Sequence, residues 1–244
     1  FNSYLFVLFF LPFCIFMYFV LNKYCKGRQP MIFLLGMSLW FYGYFNWTYL
    51  LIMLSSIVFN YLAYIVITRF EKIEYRKLFA AIAVVFNVGI LFYFKYYDFF
   101  LDNVNSLFGS NFPLKNILLP LGISFFTFQQ ISFLVDTYRG ELDEVSFVDY
   151  SLFVSFFPQL IAGPIVVHEE MIPQFNRIGN DSRSKEEKME IFIKGVYVFV
   201  LGLAKKILIA DTFGVAVDLA YSNVNAINGF ESLITILFYS LQLY

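Results

Sequence analysis

Apolar runs separated by short charged clusters divide this chain into lengths that match a lipid bilayer. A helix rises 1.5 Å per residue, so about 20 apolar residues cross a hydrocarbon layer of roughly 30 Å. Residues 1–22 carry no charge, and Lys23, Lys26 and Arg28 close that run. No further charge appears until Arg69. That interval predicts two helices, 31–45 and 47–68, joined by a tight turn at 43–46, with Trp40 and Trp47 near one interface. Arg69, Lys72, Arg76 and Lys77 form the next polar loop, and 78–94 is a fourth span collared by Tyr93, Lys95, Tyr96 and Tyr97. Residues 98–116, rich in Asn, Gly and Ser, read as a surface loop. The fifth span is 117–138, with Pro120 and Gly122 in its first turn, where proline is tolerated.

The stretch 153–168 is almost wholly apolar but holds Pro158 and the pair Gly163-Pro164. A proline inside a helix removes a hydrogen bond and clashes with the carbonyl four residues back. In lipid, broken backbone persists only where protein or a cavity covers it. Residues 150–167 therefore read as a broken or re-entrant helix, or else as a proline-kinked span. Gln159 is placed to satisfy carbonyls that the break frees. Loop charge bears on the choice, because cytoplasmic loops are enriched in Lys and Arg. The basic loops 22–30 and 69–77 fall on one side, taken as cytoplasmic. The basic stretch 168–190 stays on that side only if 150–167 enters and returns. A helix restarts at Ser184, where Ser184-Lys185-Glu186-Glu187 has capping-box spacing, and runs through 191–210. Gly195 and Gly202, seven apart on one face, permit close helix packing. A last span begins near Leu233. Both ends lie inside apolar runs, which reads as a piece of a longer protein.

Composition narrows the class further. The chain is 60% hydrophobic and 14% charged, with a mean hydropathy of +0.70, against about 45–50% apolar and about 25% charged for soluble domains. The fold class is therefore all-α: a polytopic transmembrane helical bundle, 1–244 forming a single membrane domain, with the lipid bilayer as its partner. The net charge of −1 argues against nucleic acid. Cys14 and Cys25 make neither a disulfide nor a metal pattern, and Cys25 reads as a bystander thiol rather than a lipidation site.

Polar residues inside apolar runs are the candidates for function. Gln129 and Asp136 lie seven apart on one face of the fifth span. Gln129 reads as a clasp or a tunnel group, and Asp136 can pair with Arg139. Lys205 and Lys206 interrupt an apolar helix. They reach headgroups, or one of them meets an anionic donor or a carboxylate on another helix; Asp211 is five and six residues on, poor spacing within an α-helix. His168, the sole histidine, follows the break beside Glu169 and Glu170. It reads as a loop residue at the cytoplasmic surface, open to water and not catalytic. No Gly-x-Ser-x-Gly, phosphate loop or metal spacing occurs, so no catalytic residue or metal ligand is assigned.

Three segments carry a family resemblance. Phe157-Pro158-Gln159-Leu160-Ile161-Ala162-Gly163-Pro164-Ile165 resembles the signature of the membrane-bound O-acyltransferases, in the branch typified by alginate O-acetyltransferase. Leu119-Pro120-Leu121-Gly122, continuing through Gln129 to Gly140, resembles the segment before that signature. Gly202-Leu203-Ala204-Lys205-Lys206, continuing to Asp211, resembles the segment after it. The resemblance implies an acyltransferase of the bacterial inner membrane that modifies a cell-envelope polysaccharide. Its acyl donor would be acetyl-CoA or an acyl-carrier thioester on the cytoplasmic side, a substrate rather than a bound cofactor, and an extracytoplasmic acyl-transfer protein would be its partner. It also implies that the catalytic histidine sits in a later helix not contained in 1–244. The tunnel or structural candidates are then Gln129, Pro158, Gln159, Gly163, Pro164, Lys205, Lys206 and Asp211. A D-alanyl-transfer relative is the near alternative. A transporter using the broken helix as a solute site is the distant one, and the related halves expected of it are not seen.

Overall fold

The computed structural model describes residues 3–25, 27–142, 144–160, 163, 166–177, 183–224 and 227–243. Among these are twelve α-helices and no strand. The chain divides into two compact units, Leu8–Asp181 and a second made of Phe1–Val7 with Ser182–Tyr244.

The larger unit begins with α1 (Leu11–Tyr24), preceded by a π-helical stretch Phe6–Phe10. Then come α2 (Gln29–Phe45) and α3 (Trp47–Thr68). The turn between them is the single residue Asn46. Its side chain accepts from the Thr48 and Tyr49 amides at 2.8 and 3.4 Å and so caps α3. α4 (Ile73–Lys95) starts five residues before the predicted 78, because Glu74, Tyr75, Arg76 and Lys77 wind into its start. The helix Phe6–Tyr24, α3 and α4 are long and apolar enough to cross a membrane. Val58 and Leu62 on α3 and Ile82 and Val85 on α4 face outward. Apolar outer faces suit lipid, which gives helices no hydrophobic reason to hide such side chains.

The surface loop read at 98–116 is corrected. Tyr97–Phe108 is a helix, α5, stopped by Gly109 in the left-handed region. The Asp98 carboxylate accepts from the backbone amides of Lys115 and Ile117 at 2.8 and 2.9 Å, folding the return strand of chain back over the helix start. The fifth span is also shorter than read. Residues 117–122 are not helical, and α6 is Ile123–Arg139, entered through a turn at Pro120 and Gly122.

α4 and α6 pack together, and both pack on α3; α2 packs on α7 (Phe147–Ser155). Two tyrosines of α3 hold the segment before α7: Tyr64 accepts from the Val145 amide at 3.1 Å and Tyr61 donates to the Val145 carbonyl at 3.2 Å. Tyr64, Phe133 and Tyr150 stack in sequence at the centre of the core.

In the second unit, α10 (Lys185–Lys205), a π-helical stretch Lys206–Ala210 and α11 (Asp211–Ser222) follow without interruption, and α11 packs on α12 (Gly229–Leu243). The predicted capping box at Ser184 and Glu187 forms. α12 starts earlier than Leu233 through a box of its own: Asn228 accepts from the Glu231 amide, and Glu231 accepts from the Asn228 amide, each at 2.9 Å. Gly195 and Gly202 have no close neighbour on that face among the described residues. A Cβ at either would meet nothing within 4 Å among the described residues.

Candidate functional site

The break occurs where the proline chemistry demands it. A helix continued from α7 through Pro158 would lose the bond to the Val154 carbonyl and collide with it. The chain leaves helical geometry at Phe156, with φ −56° and ψ 107°. It then restarts as a short turn, α8 (Phe157–Leu160), which places Pro158 in the first turn, where its missing N–H has no role. Ile161, Ala162, Pro164 and Ile165 lie outside the described residues. Gly163 donates to the Gln159 carbonyl at 3.0 Å. A Cβ on Gly163 would stand 2.8 Å from the Gln159 Cα, so this bend admits no side chain.

Neighbouring elements hold the broken backbone. The freed Phe157 amide donates to Ser38 Oγ of α2 at 3.3 Å, while Ser38 donates to the Leu34 carbonyl at 2.8 Å. One helical turn on, Tyr42 donates to the Leu121 carbonyl at 2.6 Å. Gly122, at φ +71°, lies so close to the Leu160 carbonyl that a Cβ there would be 2.8 Å from the oxygen. α2 and the entry to α6 thus clamp the break together. Phe157 and Leu160 are buried, and Pro158 is exposed. Among the described residues Gln159 does not satisfy freed backbone groups as expected; its Nε2 is buried there without a hydrogen-bond partner.

The role of Ser38 is testable. Ser38→Ala removes the bond that the buried Phe157 amide makes to Ser38 Oγ, a loss of about 0.5–1.5 kcal/mol. Ser55→Ala, at an exposed serine bonded to its own helix, should change stability by less than about 0.5 kcal/mol. Thermal unfolding of the two variants in detergent compares them directly; equal effects would remove Ser38 from the clamp.

A buried polar cluster lies at the meeting of α3, α4 and α6. Gln130 Oε1 accepts from Ser56 Oγ at 2.7 Å and from Asn60 Nδ2 at 2.8 Å. Asn60 and Asn87 exchange side-chain bonds of 3.1 and 2.6 Å. Gln129, singled out from the sequence, is also buried, but its neighbour Gln130 makes the interhelical contacts.

His168 is not a solvated loop residue. It opens α9 (His168–Asn176) and is 4% exposed, with both ring nitrogens lacking hydrogen-bond partners among the described residues. Phe133 and Phe153 stand perpendicular to its ring at 5.7 and 6.4 Å. Its Nδ1 faces the Asp136 carboxylate at 3.6 Å. Asp136 also meets Arg139 at 3.9 Å, as its spacing predicted. His168 lies outside the helices that are long enough to span a membrane. Burial pulls it below the usual histidine range, while Asp136, Glu169 and Glu141 oppose that shift.

In the second unit, Lys206 meets both Asp211 oxygens, at 2.5 and 2.6 Å. The spacing judged poor for an α-helix works because residues 206–210 are π-helical, which sets i and i+5 on one side. The carboxylate is on the same chain segment rather than on another helix. Lys205 is exposed.

The comparisons with known proteins bear on this arrangement. Residues 114–241 match the membrane-bound O-acyltransferase family. The chain belongs to this family. It is similar to a peptidoglycan O-acetyltransferase of Helicobacter pylori, 38% identical over all of this chain and 50% of that protein. It is also similar to a probable alginate O-acetylase of Pseudomonas aeruginosa, 32% identical over all of this chain and 46% of that protein. A teichoic acid D-alanyltransferase of Streptococcus thermophilus is 26% identical over 41% of this chain and 23% of its own length. The chain spans about half the length of the O-acetylating relatives it matches. No solved structure matches it.

Two of the segments that carry the family resemblance meet where Gly122 lies against Leu160. Ser38, Tyr42, Asn60, Asn87 and Gln130 were not found from the sequence. Asn60 and Asn87 were discoverable in principle, since an amide deep in an apolar run must find partners. Ser38 was not, because a serine that bonds its own helix is common in such runs.

Proposed function

We propose that the protein containing this chain is a polysaccharide O-acetyltransferase. It would take an acetyl group from a thioester on the cytoplasmic side and deliver it toward a cell-envelope glycan. The observation that carries this reading is coverage: the O-acetylating relatives align over all 244 residues, the D-alanyltransferase over 41%. The geometry supports a wall-forming role for this chain. α7 and α8 together are too short to cross a layer of roughly 30 Å, which favours entry and return. Their broken backbone is held by bonds from α2 and by contact with the α6 entry. A fixed break of this kind presents backbone groups to a substrate path while keeping its own shape, which is what orienting a donor and an acceptor requires. No residue of 1–244 is assigned as the base.

Acetyl transfer by the full-length protein in lipid vesicles tests the reading. Labelled acetyl-CoA is supplied at the cytoplasmic face, and alginate or peptidoglycan fragments at the other. Alkali-labile acetyl esters should form on the glycan, and D-alanyl thioester should not substitute for acetyl thioester. Accumulation of solute in the lumen with no ester formed would replace this reading with a transporter.

A further inference from the structure

We propose that His168 forms a proton-operated latch that holds α9 against α6 and α7 at neutral pH and releases it on acidification, with Asp136 opposing the release. The argument begins with placement. His168 follows the signature segment by three residues and is the first residue of α9. Its ring fills a gap between Phe133 of α6 and Phe153 of α7. Met171, Ile172 and Phe175 of the same helix are buried in the core beyond it. The histidine is thus the point at which α9 docks.

The charges around that point oppose one another. A protonated ring would sit at the positive end of α9, walled by two phenyl groups and with no hydrogen-bond acceptor on either nitrogen among the described residues. In its favour are Asp136 at 3.6 Å, Glu141 in the connection after α6, and Glu169 beside it in α9. Asp136 is itself shared with Arg139. On α7, Asp149 is engaged by Arg28 at 3.6 Å and by Ser146, and the buried Tyr150 packs on the far partner, Phe133. Burial outweighs the three acids, so docking favours the neutral ring. A histidine lowered by docking adds its full stability above its free value of about 6.5 and loses it as pH falls below that. The docked population can then fall by up to about tenfold per pH unit.

The test uses the full-length protein with Cys14→Ala and Cys25→Ser. One reporter is Met171→Cys, buried on α9, and a second is Gln174→Cys, exposed on the same helix. The ratio of their maleimide labelling rates cancels the pH dependence of thiol chemistry. That ratio should rise severalfold between pH 7.5 and 5.5, stay within twofold in His168→Gln, and rise further, toward the limit of about tenfold, in Asp136→Asn, which removes the attraction opposing release. His168→Gln should keep its stability at pH 7.5. A flat ratio in the parent, or a rise that persists in His168→Gln, would overturn the latch. If His168→Gln does not fold, Asp136→Asn decides alone: a rise no larger than the parent's also overturns it.

Discussion

Gly122→Ala is expected to be the most damaging small substitution in this chain. Two costs coincide there. The backbone is at φ +71°, which disfavours any residue with a Cβ by roughly 1–2 kcal/mol. The new methyl would also stand 2.8 Å from the Leu160 carbonyl, and forcing extra volume into a packed contact costs typically about 1–3 kcal/mol. The two together give about 2–5 kcal/mol. Neither partner can yield cheaply, since Leu160 lies in the turn after the break and Leu121 is held by Tyr42. Gly109→Ala separates the two costs. That glycine has φ +61° but open space around it, so only the backbone cost of roughly 1–2 kcal/mol applies. Thermal unfolding of the full-length variants in detergent, with acetyl transfer measured alongside, reads the difference. Gly122→Ala should lose at least tenfold in turnover and Gly109→Ala little. Equal destabilisation of the two would mean that the contact between α6 and α8 is incidental.

Asn60→Leu is expected to cost about 2–4 kcal/mol. Interhelical hydrogen bonds in membrane bundles contribute on average about 0.6 and at most about 1.7 kcal/mol each. Asn60 takes part in three contacts beyond its own helix, two with Asn87 and one with Gln130. Its loss leaves Asn87 Oδ1 without its donor in a site of 2% exposure, and a stranded buried group adds about 1–3 kcal/mol. Replacing both Asn60 and Asn87 by Leu should cost less than the sum of the single replacements, because each removes the partner that the other would strand. Asn103→Ala is the control. It is exposed and bonds its own helix, so a change below about 0.5 kcal/mol is expected. Strict additivity in the double variant would show that the amides do not act together.

The spans that local chemistry dictates were legible in the sequence. Charge-free length gave the helices that became Phe6–Tyr24, α3 and α4, since a bilayer selects for length and apolarity alone. Ser184 and Glu187 gave the start of α10, because a capping box is complete within four residues. The break near Pro158 was legible for the same reason: a proline's missing donor acts on its own helix. The helix α5 was missed because its turn-forming residues mask two local signals, Asp98 in the first turn and Gly109 at the end. The start of α6 was missed because Gly122 adopts its left-handed geometry against Leu160, far away in sequence.

Everything that decides what surrounds the break came from tertiary structure. The sequence placed Gln159 as the group that would satisfy the freed backbone; the fold supplied Ser38, more than a hundred residues earlier, because α2 passes within hydrogen-bond reach. It placed His168 in water beside two acids; the packing of α6 and α7 buried it between Phe133 and Phe153. Spacing argued against a Lys206–Asp211 pair, and a π-helical turn allowed it by changing how many residues make one revolution. Hydrophobicity and breakers are properties of a segment and can be read from it. Hydrogen-bond partners and desolvation belong to whichever segments meet, and that is fixed only when the helices pack.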